Sequence, residues 1–378
     1  MPWYKETIVS QRREFIGLVE CSTGLSEACR AFGISRKTGY KWLDRFEVEG
    51  EAGLRDRSRR PHSSPGKAGA EAEGKILAAR DEHPAWGGRK LKRWLEDCGE
   101  VGLPVPSTIT EILRRHGRLD PEESRKRAPL QRFEAPQPND LWQMDFKGPF
   151  QVERQTCHPL TILDDHSRYS ILLKACEDHR RETVRRHLGE AFDTYGLPQA
   201  MLVDNGGPWA PATMGEWTKL SVWLLRLGVD VIHSRIRHPQ TLGKDERFHR
   251  TLLVECITSR EFSTFTEVQH HFDRWREIYN NERPHESLGL RPPASRYRAS
   301  SRPYPSSLPP IEYEAQDRVR KVNGDGEVSL DGKRWRIGKG FSGYPVGIRP
   351  SAEDGLFHVY FCRHKLKEID LRSLKTES

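Results

Sequence analysis

Three acidic residues occupy positions where carboxylates could hold a metal ion. Asp145 lies in an apolar strand-like segment, Asp204 directly follows a second one, and Glu246 falls in the first turn of a predicted helix. Mg²⁺ prefers such oxygen ligands. A pair of these ions about 4 Å apart can activate an attacking oxygen and stabilise a leaving one in an in-line phosphoryl displacement. The three carboxylates therefore predict metal-dependent chemistry at phosphodiester bonds.

Each acid also has an ordinary structural explanation. Asp145 can be a strand-edge acid, and Asp204 precedes an Asn-Gly turn that could need it for structural reasons alone. Glu246 can simply favour a helix N-terminus, where the helix dipole attracts negative charge, and its neighbour Asp245 competes for the same role. The metal interpretation gains its weight from the three acids together.

A helical wheel gives a further expectation for Glu246. It shares a row with Arg250, Leu253 and Ile257. Because residues three and four apart are neighbours on a helix, we expect this row to turn partly towards the protein. The sequence has neither a Cys/His cluster for a softer metal nor a GxxxxGK[ST] phosphate loop.

The segments around these acids predict an α/β core. Strands are expected at 141–146, 160–163, 169–173, 200–203 and 229–232, and helices at 182–195, 214–227, in the segment that begins near Glu246, and at 265–279. Their order, β-β-β-α-β-α-β-α-α, is typical of a mixed sheet with helices. Open α/β sheets place their sites beyond the carboxyl ends of strands, where Asp204 falls.

The first 54 residues predict a helix-turn-helix unit. Ser26 can cap one helix, Gly33 permits a sharp turn, and Ser35 can cap the next, basic helix. A helical bundle without a DNA role is the alternative. The side chains expected to face DNA are Arg36, Lys37, Tyr40 and Lys41.

A second unit of similar size is expected at 67–118, with Ser107 as a cap and Gly117 as a stop. Its candidate DNA contacts are Thr108, Arg114 and Arg115. The connection 55–66 is basic, and it predicts either an arm along DNA or a solvated tether. The arm residues are Arg55, Arg57, Arg59 and Arg60.

The rest of the chain completes a multidomain organisation. A linker at 119–138 precedes the core at 139–290, and a Pro-rich linker at 291–312 precedes short alternating segments at 313–378. Those segments predict a small all-β, barrel-like domain, for which DNA contact and assembly are both open.

Composition limits the possible partners. The 378-residue chain carries a net charge of +8, which suits a polyanion but also fits a generally basic protein. It contains no apolar run long enough for a membrane span, so no membrane partner is expected. An odd number of cysteines, seven, without CxxC pairs indicates a reducing compartment. We expect a cytoplasmic, nucleoid-associated protein.

Four sequence blocks carry a family resemblance. They are Trp142-Gln-Met-Asp145-Phe-Lys-Gly, Val203-Asp204-Asn-Gly, His238-Pro-Gln-Thr-Leu-Gly-Lys-Asp-Glu246-Arg-Phe-His-Arg-Thr-Leu and Tyr279-Asn-Asn-Glu-Arg-Pro-His285-Glu-Ser-Leu. In this order they resemble the retroviral-integrase-like catalytic domain of bacterial insertion-sequence transposases of the DDE class. The helix-turn-helix around Gly33–Trp42 is similar to the end-recognition module of that group.

The resemblance implies a ribonuclease-H-like fold, Mg²⁺ dependence with Mn²⁺ as a substitute, and DNA cleavage with strand transfer. It implies metal binding by Asp145, Asp204 and Glu246, and it favours Glu246 over Asp245 because the family's acid lies three residues after the glycine. Leu242 departs from the family's usual Asn, which leaves the local loop shape open.

The implied partners are double-stranded DNA, both element ends and target, and further copies of the chain, as a dimer or larger. Basic residues beside Glu246 are hypothesised to hold phosphates by charge-assisted contact: Lys244, Arg247, His249 and Arg250. Two other functions stay open: a sequence-specific DNA-binding regulator with an inactive core, and a non-specific ribonuclease-H-like nuclease.

Overall fold

The structure is a computed structural model, which describes residues 8–21, 24–57, 68–119, 134–204, 206–207, 209, 217–233, 243–258 and 260–372. The chain divides into two compact units, Met1–Lys67 and Ala68–Ser378. In the described part of the chain, no helix is long and apolar enough to span a membrane.

The first unit is a three-helix helix-turn-helix domain. Helices α1 (Ile8–Glu20), α2 (Leu25–Ala31) and α3 (Arg36–Glu49) enclose a core that includes Phe15 and Trp42. Ser35 is the N-cap of α3 and accepts a hydrogen bond from the Thr38 amide, as predicted. The predicted cap at Ser26 is wrong, because α2 begins at Leu25 and has Gly24 at its N-cap without a side-chain bond.

The second unit begins with another helical group. It consists of α4 (Ala70–Glu82), α5 (Gly88–Asp97) and α6 (Pro106–Arg115), packed around Trp86 and Leu91. The predicted cap at Ser107 is wrong, because Pro106 occupies the first turn and Val105 is the N-cap. Proline is pre-organised for that position, so the helix begins before the serine.

The α/β core follows. Its strands are β1 (Leu141–Phe146), β2 (Phe150–Val152), β3 (Gln155–Asp164), β4 (Ser170–Cys176), β5 (Ala200–Val203) and β6 (Asp230–His233). The described strands pair in the order β2-β3-β1-β5-β6, with β4 on β3. β1 is antiparallel to β3 and parallel to β5, so the predicted mixed sheet is confirmed. The short strand β2 was not predicted.

Alternation along the strands sends side chains into two apolar layers. On one face, Trp142 and Met144 pack against α7 (Arg181–Tyr195) and α8 (Lys219–Arg226). On the other face, Leu163 and Leu173 pack against α9, described from Gly243 to Leu252, and α10 (Phe265–Asn281). A π-helical turn, Leu253–Ile257, extends α9. Because side chains alternate along β1, Gln143 and Asp145 face α9.

The Pro-rich segment 291–312, predicted as a linker, packs on the core. The Tyr297 ring stacks on Tyr169 at 4.2 Å between centroids. Arg302 donates to the Gly228 carbonyl at 2.8 Å. Its aromatic and basic residues therefore dock this connection on the sheet and helices that hold the site.

The C-terminal region is an antiparallel sheet domain. Strands β7 (Arg318–Lys321), β10 (Pro345–Pro350), β11 (Leu356–Phe361) and β12 (His364–Asp370) form one sheet, ordered β12-β11-β10-β7. Strands β8 (Glu327–Leu330) and β9 (Lys333–Arg336) form a separate hairpin. The all-β prediction is confirmed as a sheet with a hairpin beside it, and its core includes Val222 and Leu225 of α8.

Candidate active site

Two of the predicted acids lie on neighbouring strands. β1 and β5 run parallel, and Met144 pairs with Val203, so the next residue on each chain is an aspartate at the same level. Asp145 is still within β1, and Asp204 lies just beyond the end of β5. The parallel register thus brings these two carboxylates to one edge of the sheet.

Backbone amides hold one oxygen of each carboxylate. Asp145 Oδ1 accepts from the Phe146 amide at 2.8 Å, and Asp204 Oδ1 accepts from the Gly206 amide at 3.0 Å. A Cβ at Gly206 would come within 2.9 Å of Asp204 Oδ2, so a side chain there would crowd the carboxylate. Glycine at 206 therefore leaves the Asp204 carboxylate room to keep this position.

The two aspartates disfavour each other's ionisation. Burial, reinforced by the negative charge of Asp204, raises the pKa of Asp145 to about 7. Burial also raises the pKa of Asp204. A cation between two such groups relieves both the repulsion and the desolvation, and hard carboxylate oxygens are the donors that Mg²⁺ takes. The donor set at this edge therefore fits a divalent metal.

The third acid is placed differently. Glu246 is exposed on α9, whereas Asp245 is buried together with Phe248 and Leu252. The Glu246 row, expected to turn partly towards the protein, is exposed at Arg250 and Leu253 and buried only at its far end, at Ile257 in the π-helical turn. The inward row is the one of residues 245, 248 and 252, because the apolar Phe248 and Leu252 determine which side of the helix meets the sheet.

Asp245 is an unusual buried acid. It is 1% exposed, and neither of its carboxylate oxygens has a hydrogen-bond partner among the described residues. Burial, together with the charges of Asp145 and Asp165, raises its pKa well above the ordinary value. Among the described residues, no three His, Cys, Asp or Glu side chains form a group that could hold a metal. Glu246 as the third ligand stays a prediction.

His249 lies inside the site instead of on its surface. Its Nε2 is 2.8 Å from Thr161 Oγ1, and its Nδ1 is 3.9 Å from Asp145 Oδ2. Burial lowers the pKa of His249 to about 4. The structure therefore gives His249 protein partners, and its predicted contact with DNA stays untested. Thr161 was not predicted as part of the site, although a threonine in the otherwise apolar predicted strand 160–163 was a usable signal.

Lys244 also has a protein partner. Its ammonium group bonds the carboxylate of the fully buried Asp165, which in addition accepts from Gln143 Nε2 at 2.6 Å. Burial and the charge of Arg168 lower the pKa of Lys244 to about 8, against the raising effect of Asp165. This contact fastens the first turn of α9 to the turn after β3, and a phosphate contact by Lys244 stays a prediction.

The fourth sequence block builds the support of α9. Arg283 makes two hydrogen bonds to Glu255 Oε1, at 2.9 and 3.0 Å, just after α9. Asn280 accepts from the Ser170 amide at 2.8 Å and returns a bond to its carbonyl at 3.0 Å. The motif residues therefore tie α10 to β4 and to the end of α9, a role that their spacing alone did not reveal.

The remaining predicted DNA contacts lie on several surfaces. On α3, four exposed residues with Thr38 and Asp44 line one shallow groove: Arg36, Lys37, Tyr40 and Lys41. Arg55 and Arg57 are exposed, and Arg59 and Arg60 lie outside the described residues. In the second helical group Thr108 is half-buried, while Arg114 and Arg115 are exposed and pair with glutamates. On α9, Arg247 and Arg250 are exposed.

Family comparisons cover nearly the whole chain in pieces. The integrase core domain matches residues 135–239 and, in a second family, 227–293. A helix-turn-helix domain matches 11–62, and a homeodomain-like domain matches 38–113. The C-terminal domain of the IS481 family transposases matches 317–377.

The curated relatives that the chain matches are proteins of insertion elements. The "Insertion element IS476 uncharacterized 39.2 kDa protein" of Xanthomonas euvesicatoria is 29% identical over 157 residues, 42% of this chain and 44% of that protein. An IS407 insertion-element protein of Burkholderia multivorans is 24% identical, over 43% of this chain and 58% of that protein. A putative transposase of element IS5376 from Geobacillus stearothermophilus is 24% identical, over 35% and 32%. The chain thus spans between about a third and about three-fifths of these relatives' lengths.

Solved structures give weaker likenesses. The structure of a simian T-cell lymphotropic virus intasome with PP2A regulatory subunit B56 gamma has a TM-score of 0.39 and 13% identity, and covers 79% of this chain and 96% of that one. The HTLV-2 integrase catalytic core with magnesium, in its trimeric form, has a TM-score of 0.33 and 13% identity, and covers 44% and 100%. The family matches and the insertion-element relatives, together with the mixed-sheet core and the helix-turn-helix domains, identify the chain as similar to the DDE transposases of bacterial insertion sequences.

Proposed function

We propose that this transposase binds the terminal inverted repeats of its own element, cleaves the phosphodiester at each end with Mg²⁺ and transfers the freed 3′-hydroxyl to target DNA. The observation that carries the proposal is the pair Asp145 and Asp204, on adjacent strands, where burial and mutual repulsion favour a cation. A DNA-binding regulator has no need of such a pair.

Different residues would bind the metal ions and the DNA backbone. Asp145, Asp204 and Glu246 would hold the ions, and for that they must be deprotonated. Bound Mg²⁺ supplies Lewis-acid activation of the attacking oxygen and charge stabilisation at the leaving one. Arg247 and Arg250, exposed on the helix that carries Glu246, are suited to grip backbone phosphates. Water would be the nucleophile for cleavage, and the 3′-hydroxyl would be the nucleophile for transfer.

The helical domains select the DNA. The basic residues of helix α3 line one groove on the protein surface. A helix with such residues is suited to enter the major groove of DNA and bind the terminal sequence of the element there. We further propose that a dimer or larger assembly holds two ends together, since a transposition event joins both. Mn²⁺ is expected to replace Mg²⁺ because it accepts the same oxygen ligands.

The test is a cleavage and strand-transfer assay. Duplexes carrying the inverted repeats that flank the gene are incubated with Mg²⁺ and either wild-type protein or Asp204→Asn, which keeps the size of the side chain and removes its charge. We expect end-specific nicks and joined products from the wild type alone, with equal DNA binding by both. Equal products from both proteins would contradict the catalytic assignment.

Two outcomes would support the other functions. A sequence-specific shift of the end duplex with no metal-dependent product would support the regulator. Cleavage spread over any duplex, with no footprint at the ends, would support the non-specific nuclease.

A further inference from the structure

We propose that Thr161 and His249 form a hydrogen-bonded pair that positions the Asp145 carboxylate for metal binding. This inference rests on the proposed function, because it concerns the same site. Neither residue is a predicted metal ligand. Both are positioning residues, which act through Asp145.

The strand register creates the pair. Thr161 on β3 stands directly opposite Asp145 on β1. Its hydroxyl oxygen lies 2.9 Å from the Asp145 main-chain carbonyl oxygen and 2.8 Å from His249 Nε2. One side chain thus links the backbone of the acid to α9.

The single proton of the Thr161 hydroxyl determines which group donates in each of these two hydrogen bonds. The Asp145 carbonyl can only accept, so the single hydroxyl proton of Thr161 goes to it. The Thr161 oxygen must then accept from His249, which therefore carries its proton on Nε2. In the neutral ring, Nδ1 then presents a lone pair, and this atom faces Asp145 Oδ2 at 3.9 Å.

This arrangement leaves one carboxylate oxygen available. Oδ1 of Asp145 accepts the Phe146 amide, while Oδ2 faces a ring nitrogen that donates nothing to it. With the opposite tautomer, His249 would donate to Oδ2 and compete with a cation for that atom. Thr161 therefore selects the ring tautomer that keeps Oδ2 free, as outer-shell partners do at metal sites.

The same bond sets the position of α9. His249 follows Glu246 by nearly one turn, so a bond from its ring to β3 sets the height and rotation of the helix over β1. The apolar contacts of Phe248 and Leu252 are less directional. Lys244 provides a separate attachment to Asp165 at the start of the helix. The loss of the Thr161 hydroxyl should therefore disturb the site without releasing α9.

The experiment compares Thr161→Val with Thr161→Ser in the full chain. Valine keeps the shape and removes the hydroxyl, and serine keeps the hydroxyl. Mn²⁺ binding without DNA is measured by calorimetry, end-duplex affinity without metal by fluorescence anisotropy, and end cleavage under single-turnover conditions. We expect Thr161→Val to weaken Mn²⁺ binding and slow cleavage by about 10- to 100-fold, with DNA affinity and melting temperature near wild type. Thr161→Ser should stay within about 3-fold of wild type.

Variants of His249 provide the second arm. In His249→Gln the amide nitrogen can reach the Thr161 oxygen, so Mn²⁺ binding should be restored relative to His249→Leu. Thr161→Val should add little to His249→Leu if the two residues act as one pair.

The outcomes separate this inference from the proposed function. Wild-type protein that binds the end duplex but neither binds Mn²⁺ nor cleaves would overturn both. Active wild type with Thr161→Val equal to it would overturn the positioning role alone. Equal losses in Thr161→Val and Thr161→Ser would also overturn that role, since packing and not the hydroxyl would then be responsible.

Discussion

The two helix-turn-helix groups have similar size and order but use their cations differently. On α3, Arg36 and Lys37 are exposed, and neither forms an ion pair with an acidic residue among the described residues. On α6, Arg114 pairs with Glu111, and Arg115 pairs with the half-buried Glu73 at 2.7 Å. A cation already matched by a carboxylate has less to gain from a phosphate. Helix α3 is therefore the better candidate for binding DNA, and α6 contributes more to the stability of its own domain.

The largest effect is expected on α3. We predict that Arg36→Ala/Lys37→Ala lowers affinity for the end duplex on the order of 100-fold and reduces the salt dependence by about two counterions, because two phosphate contacts are lost. Fluorescence anisotropy across a salt series measures both quantities. Asp44→Ala, in the same groove, is the control and should not weaken binding. Unchanged affinity in the double variant would remove α3 from the DNA interface.

A pH effect should distinguish the second group. His83 is 7% exposed, stacks on Trp86 at 3.8 Å between centroids, and has its pKa lowered by burial. A histidine with a lowered folded-state pKa binds fewer protons when folded than when unfolded. The contribution of neutral His83 to the unfolding free energy is therefore complete above pH 6.5, the pKa of the residue in the unfolded chain. It declines as the pH falls below that value.

We expect the melting temperature of the unit that contains His83 to fall as the pH drops below 6.5. The decrease should be smaller in His83→Phe, which keeps the stacked ring and cannot be protonated. The first unit has one histidine, His62, which lies outside the described residues, so its described core should add no such component. Calorimetric scans at several pH values measure it, and equal acid sensitivity of wild type and variant would exclude His83 as the cause.

The capping serines give a smaller difference. Ser35→Ala removes the bond to the Thr38 amide and should lower the unfolding free energy of the first unit by about 1 kcal/mol. Ser107→Ala should change stability by only a few tenths of a kcal/mol, because Pro106 begins α6 and no side chain caps it. Urea titrations of the full chain measure both, and equal losses would mean that Ser107 has a role beyond the helix start.

The smallest effect on DNA affinity is expected on α6. Arg114→Ala/Arg115→Ala should weaken end-duplex binding by less than about 3-fold, because each arginine already has a glutamate partner and gains little by exchanging it for a phosphate. Glu73→Gln, which releases Arg115 from its carboxylate, should leave affinity equal or higher. A loss of affinity as large as that of the α3 variant would show that the two groups do not differ and that both bind DNA.

The sequence alone determined the order of elements and the identity of the acids. Alternating and helical apolar patterns are local, so they predicted the strands around Asp145 and before Asp204, and the Ser35 cap needs only its own turn. The resemblance to the transposase family also followed from four blocks of residues, and the family matches confirm it. The mixed sheet was also predictable from the sequence, because the order of strands and helices along the chain limits how the strands can pair.

Only the tertiary structure decided which side chains of α9 face the sheet. The predicted row of Glu246 and the observed row of Asp245 differ by one residue, about 100° around a helix, and local pattern resolves that angle poorly. Packing of Phe248 and Leu252 on the distant strands β3 and β4 determined it. Partners far apart in sequence, Thr161 with His249 and Lys244 with Asp165, likewise meet only because β1, β3 and α9 come together.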